Sequence, residues 1–181
     1  MTEREKMLAG EPYDPLDPEL LAGRRRAQEM VIAFNGEPDE ELRLAMLADL
    51  VGGIGTEALI VPPFFCDYGA NVELGDEVFV NAGGVFLDCA AITIGAKTQV
   101  GPNVQLLAAD HPREPELRAA GVELSRPVRI GANCWIGAGT IVCPGVTVGD
   151  DAIVGAGSVV VADVPPRVMA AGNPCRVIRE L

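Results

Sequence analysis

The sequence predicts an all-β core built as a parallel β-helix of hexapeptide repeats, with a small α-helical cap at the N-terminus. Three observations carry this reading. Small and aliphatic residues recur every six positions over most of the chain. Aromatic residues make up only 4% of it, while glycine occurs 21 times. The repeating texture begins near residue 57, after a segment rich in helix signals. Such a composition suits close packing of small side chains rather than a core built around rings.

Residues 1–56 read as helical. Asp17-Pro18-Glu19 marks a helix start, because an acid suits the N-cap and proline the first helical position, where its missing N–H costs nothing. The run LLAGRRRAQEMVIAF is then expected to end at Asn35-Gly36. A second helix over roughly 38–51 would put Leu42, Met46 and Leu50 on one stripe, with Leu47 beside them, ending at Gly52-Gly53. The Arg24–Arg26 run reads by default as a solvated helix face.

From residue 57 onward the chain divides into sixes such as IGANCW, IGAGTI, VCPGVT, VGDDAI and VGAGSV. Each block opens with an apolar residue: Leu74, Val80, Phe86, Ile94, Val100, Ile130, Ile136, Val142, Val148 or Val154. The longer units VELG, ITIG, VRIG and VTVG place glycines at 75, 95, 131 and 149, with 18 residues between the last two. Three six-residue faces make one triangular coil, and coils stack at the usual inter-strand spacing of about 4.8 Å. The opening residue points inward, and small residues let the chain turn each corner. No amphipathic helix separates the strands, which excludes a doubly wound sheet.

One stretch breaks the rhythm. AADHPREPELRAAG, residues 108–121, holds two prolines, a cluster of charges and the sole histidine, His111. The expected excursion spans 106–127, and Ile94 and Ile130 lie 36 residues apart, so it returns to the same lattice. A lone loop histidine is by default a surface residue. Long excursions from a compact repeat are usually functional or disordered, however, and histidine is the natural general base near neutral pH.

Net charge and cysteines narrow the classes further. A net charge of −12 opposes nucleic acid as a partner. Residues 126–181 carry a balance of +1, so an anionic ligand meets least repulsion there. The opening MTEREKMLAGEPYDP has no apolar signal-peptide core, and no run approaches a membrane span, so a soluble, cytoplasmic protein without membrane contact is expected. The five cysteines (Cys66, Cys89, Cys134, Cys143 and Cys175) form no C-x-x-C pair. They read as reduced packing residues, with no disulfide framework and no metal site.

The His-bearing loop on a hexapeptide lattice resembles the hexapeptide-repeat acyltransferases. MLAGEPYDPLDPEL followed by GRRRA is similar to the helical cap of their maltose/galactoside O-acetyltransferase branch, and CDYGANVELG, ADHP, VRIGANCWIGAGTIVCPGVTVG and VMAAGNPCRVIREL match it in order. The resemblance covers practically the whole chain. It implies a left-handed coil, against the right-handed rule for parallel crossovers. It also implies homotrimers with active sites between neighbours, and transfer of acetyl from acetyl-CoA to a sugar hydroxyl. In this chain His111 would be the general base, with direct attack and no acyl-enzyme, and the backbone N–H of Ala138 would hold the oxyanion.

The acceptor residues implied are Asp14, Arg24, Asp67, Asn81 and Asp88. Acids and amides suit polyols because each offers several lone pairs or protons. Each Asx residue also has a plain turn-capping reading. Galactoside members carry an acid where this chain has Cys89, and Glu123 is either a support for the loop or a solvated charge. For coenzyme A the resemblance points to Ala138 and Ala156 along the pantetheine arm, although Gly137, Ala138, Gly155 and Ala156 also fit plain repeat grammar. Arg176 and Arg179 would meet the phosphates, and Val161-Ala162 stands where the family sometimes has Thr-Lys.

Two other readings stay open. One is a hexapeptide acetyltransferase for a non-sugar acceptor, such as an antibiotic or an amino-acid hydroxyl. The other is a non-catalytic β-helical binding module. A carbonic-anhydrase-like zinc enzyme would need several imidazole ligands, and the chain has one histidine.

Overall fold

All ten block-opening residues point inward, and every one is buried. The computed structural model describes all of residues 1–181. Its strands form three parallel faces of a prism. Face I stacks Gly53–Ile54, Val72–Leu74, Ile92–Ile94, Val128–Ile130 and Thr147–Val148. Face II stacks Leu59–Ile60, Phe79–Val80, Gln99–Val100, Trp135–Ile136, Ile153–Val154 and Val168–Gly172, closed by the antiparallel strand Cys175–Glu180. Face III stacks Phe64–Cys66, Gly84–Leu87, Gln105–Leu107, Ile141–Val142 and Val159–Val160. The first strand begins at Gly53, a few residues before the expected boundary at 57.

Why the second block position is small follows from the stacking. A Cβ placed on Gly95 would lie 2.5 Å from the main-chain nitrogen of Ala132 in the next coil. Coils 4.8 Å apart leave no room for it. Buried hydroxyls satisfy corner carbonyls: Thr98 donates to Gly131 O at 2.7 Å and Thr140 to Gly137 O at 2.8 Å. No buried side-chain nitrogen or oxygen lacks a partner.

The coils are not uniform. Ile130 pairs with Val148, 18 residues on, but Leu74 pairs with Ile94 after 20. The two added residues fall at the edge between faces III and I, at 67–71 and again at 88–91. The His111 excursion leaves from that same edge. It returns in register, as expected, with Ile130 beside Ile94, so these strands lie in adjacent coils although 36 residues separate them. The excursion is also shorter than 106–127. Gln105–Leu107 stays in face III with Leu106 fully buried, and Ala109–Asp110 pairs antiparallel with Leu124–Ser125. A short helix, Pro115–Ala119, occupies its tip.

The cap holds three helices, α1 (Glu3–Ala9), α2 (Pro18–Gly36) and α3 (Glu40–Leu50). Asp17 caps α2 as expected, accepting from Glu19 N at 2.9 Å. The helix ends at Gly36, as expected, and Asn35 in its last turn also makes a tertiary contact. Its amide accepts from Phe64 N and donates to Phe64 O, both at 2.9 Å, tying α2 to face III. In α3 the buried residues are Leu47 and Leu50, while Leu42 is exposed. The expected stripe is therefore rotated: α3 meets α2 and face II along Leu47 and Leu50.

One core of 36 buried residues runs from the cap through the prism. A second, small cluster (Met7, Tyr13, Leu20 and Cys89) joins the cap to the III–I edge and packs on Tyr68 and Ala109.

Candidate active site

The widened III–I edge gathers most of the expected acceptor residues. Asp88 is fully buried, and its carboxylate accepts main-chain N–H groups from Asp67 at 3.0 Å, Tyr68 at 2.8 Å and Asn71 at 3.2 Å. The turn-capping reading is the one realised, so Asp88 shapes the corner and has no face toward a ligand. Asp67 is half-buried beside it. Burial and the neighbouring Asp88 charge push its carboxyl up to about 6. Cys89 stands where its thiol donates to Asp67 Oδ2 at 3.6 Å. Arg24 reaches the same edge from α2, donating to Tyr68 OH at 2.7 Å and to Pro15 O. It is not the free solvated cation that the run Arg24–Arg26 suggested.

Asp14 lies on the exposed arm before α2 and closes a turn, accepting from Leu16 N at 2.9 Å. The adjoining Tyr13 is buried and couples the arm to the excursion. It exchanges main-chain hydrogen bonds with Glu123, and its hydroxyl donates to Glu123 Oε2 at 2.8 Å. Glu123 thus supports the loop. His111 itself is exposed. Its main-chain N–H donates to Asp110 Oδ1 at 2.9 Å, and its carbonyl accepts from Arg113 at 2.8 Å.

Asn81 and Ala138 lie elsewhere. They line a groove of 570 Å³ on face II, at its edge with face III. Its floor is a single outward column, Phe79, Gln99, Trp135, Ile153 and Met169, paired coil to coil. Gly137, Ala138, Gly155 and Ala156 form its rim. The Ala138 N–H donates to no acceptor in the chain. It is therefore available to an incoming oxygen. No residue of the 109–127 excursion or of the N-terminal arm lines this groove. The expected site is split in two, with Asp14, Arg24, Asp67 and His111 on one edge and Asn81 and Ala138 on another.

The floor column was missed in the sequence. Its signal was present, because each member directly precedes an inward residue (Val80, Val100, Ile136, Val154 and Ala170), but outward residues obey no composition rule. At the far end, Arg176 and Val161-Ala162 line one shallow pocket, and Arg179 pairs with Met169. The cysteines are unbridged. Burial raises the thiols of Cys66, Cys134, Cys143 and Cys175, and raises Cys89 to about 12. No three His, Cys, Asp or Glu side chains are grouped to hold a metal ion, and no helix is long and apolar enough to cross a membrane.

Stacked parallel coils, a small-residue groove and a histidine on a protruding loop define a hexapeptide-repeat acyltransferase. Comparison with known proteins narrows the class. Residues 6–55 match the maltose acetyltransferase hexapeptide capping motif, and residues 127–162 match the bacterial transferase hexapeptide repeats. Nodulation protein L of Rhizobium meliloti is 49% identical over 97% of this chain and 97% of its own. A crystal structure of a maltose O-acetyltransferase from Clostridium difficile 630 superposes with a TM-score of 0.98 at 43% identity, covering 100% of this chain and 98% of that one. A galactoside acetyltransferase in complex with coenzyme A gives a TM-score of 0.95 at 38% identity, covering 99% and 91%. The chain belongs to the maltose/galactoside O-acetyltransferase branch of the hexapeptide-repeat acyltransferases, and it is an acetyltransferase of that type.

Proposed function

We propose that the protein moves an acetyl group from acetyl-CoA to a hydroxyl of a sugar or sugar-like acceptor, with His111 as the general base. Acetyl-CoA is its co-substrate, as in its relatives' complex with coenzyme A. His111 takes the hydroxyl proton as that oxygen attacks the thioester carbonyl. The Ala138 N–H donates to the resulting oxyanion. The carbon–sulfur bond then breaks, and the proton passes from His111 to the departing thiolate. The raised thiols make poor nucleophiles, in keeping with direct attack.

The observation that carries this reading is the pairing of an exposed loop histidine with a groove whose rim presents an unengaged N–H. Because the two lie on different edges of one prism, the complete site requires His111 of one subunit against the groove of the next. A closed trimer supplies three such sites by symmetry. In it, the III–I edge brings Asp14, Arg24 and Asp67 to the acceptor, and the neighbour contributes Asn81, Ala138 and Ala156. Arg176 and Arg179 meet the phosphates of coenzyme A. The absence of a membrane-spanning helix and the unbridged cysteines support a cytoplasmic location.

The test is thiol release from acetyl-CoA across a panel of sugars, for the parent and for His111→Ala. Sugar-dependent release that falls about 10²-fold or more in the variant supports both the reaction and the base. Equal rates remove His111 from the mechanism.

A further inference from the structure

We infer that Asp110, Arg113 and Arg126 form a clamp that sets the position of His111, with Asp110 as its positioning residue. This rests on the reading of His111 as the base. Asp110 is a charged residue only 9% exposed, at the foot of the excursion. A carboxylate so placed must be paired, and its partners are telling.

One oxygen, Oδ1, accepts the His111 main-chain N–H at 2.9 Å and the Arg113 guanidinium at 2.9 Å. The same Arg113 nitrogen donates to the His111 carbonyl at 2.8 Å. Asp110, His111 and Arg113 therefore close a ring that holds the peptide groups on both sides of the histidine. The other oxygen, Oδ2, accepts from Arg126 Nε at 3.0 Å and from its Nη2.

Arg126 refers this ring to the scaffold. It stands where the excursion rejoins the prism, and its N–H donates to Ala108 O at 2.8 Å. Its stem lies over Gly145 in the next coil, where a Cβ would come within 3.4 Å of the Arg126 side chain. That glycine sits at φ +84°, which disfavours any side chain there. Arg118 holds the next carbonyl, donating to Pro112 O at 2.9 Å.

Among these partners the charge order matters. Asp110 lies between two guanidiniums, and its charge adds to burial in raising the Cys143 thiol. Burial raises its carboxyl, but the hydrogen bonds from Arg126 and Arg113 outweigh that and hold it below the ordinary value. The remaining charges of the excursion are Glu114, Glu116, Arg118 and Glu123. Removing the Asp110 charge leaves two cations by the base, whereas removing Arg113 leaves one fewer.

The test compares Asp110→Asn, Arg113→Gln and His111→Ala with the parent over the pH range of the reaction. Arg113 is 73% exposed, so its replacement does not threaten the fold. The clamp requires that both Asp110→Asn and Arg113→Gln lose kcat by 10-fold or more, with KM for acetyl-CoA within about two-fold, since small misplacement of a reacting group is costly. The acid limb of kcat/KM should move down by about half a pH unit in Asp110→Asn and up by a similar amount in Arg113→Gln, as a nearby unit charge of either sign dictates. Limbs moving in the same direction, or kcat within two-fold of the parent in Arg113→Gln, would overturn the clamp. An active His111→Ala would instead overturn the reading of the base, and so separates the two failures.

Discussion

The Cys89 thiol donates to Asp67 Oδ2 at 3.6 Å, at a coil corner that also holds the buried Asp88. Two acids and a raised thiol share this corner, with Arg24 the cation nearest Asp67. The corner is therefore acidic and poorly solvated, and burial together with the Asp88 charge raises the Asp67 carboxyl.

Stability should respond accordingly. The folded-state carboxyl of Asp67 lies at about 6, above the ordinary aspartate value of 3.8. Between those values the folded chain binds more protons than the unfolded one, so this group's contribution falls as pH rises from 4 to 6 and stays low above 6. Asp67→Asn should raise the thermal midpoint at pH 7 relative to that at pH 5, compared with the parent. An unchanged difference would show that Asp67 does not carry the shift.

Asp88 and Asp67 should separate in their effects. Asp88→Ala leaves three buried N–H groups without an acceptor, and a loss of about 2–4 kcal/mol in denaturant unfolding is expected. Asp67→Ala should cost little stability and raise KM for the acceptor. Comparable unfolding midpoints for the two variants would contradict this division.

Shared sites can be tested by mixing. His111→Ala and Ala138→Trp should each be inactive as pure proteins. Unfolded and refolded together in equal amounts, they should recover about a quarter of the parent rate, since random assembly pairs an intact loop with an intact groove at that frequency. No recovery would mean that each site is built within one chain.

Ile136 is fully buried between Val100 and Val154 of the neighbouring coils. Ile136→Ala should cost about 2–5 kcal/mol, because stacked coils cannot close around the cavity. Trp135→Ala, one residue earlier and 59% exposed, should leave stability within about 1 kcal/mol.

What the sequence determined by itself is the lattice. A six-residue period turns the first and fifth side chains of each block inward, and the close approach of the next coil forces a small residue after the first. These are local and repeating constraints, so Ile130, Ile136 and Val148 declare themselves without any knowledge of their neighbours. The same holds for Asp17 at the start of α2 and for the break in rhythm at His111. The tertiary structure decided what depends on meetings between distant segments. Only in three dimensions do residues 67–71, 88–91 and the excursion stack on one edge. Only there does Asn35, in the last turn of α2, tie that helix to face III, and does Asp88 turn inward to its corner amides while Asp67 stays half-buried beside it. The separation of His111 from Ala138 is likewise a property of the prism: six residues per face put neighbouring corners on different edges, however close they lie along the chain.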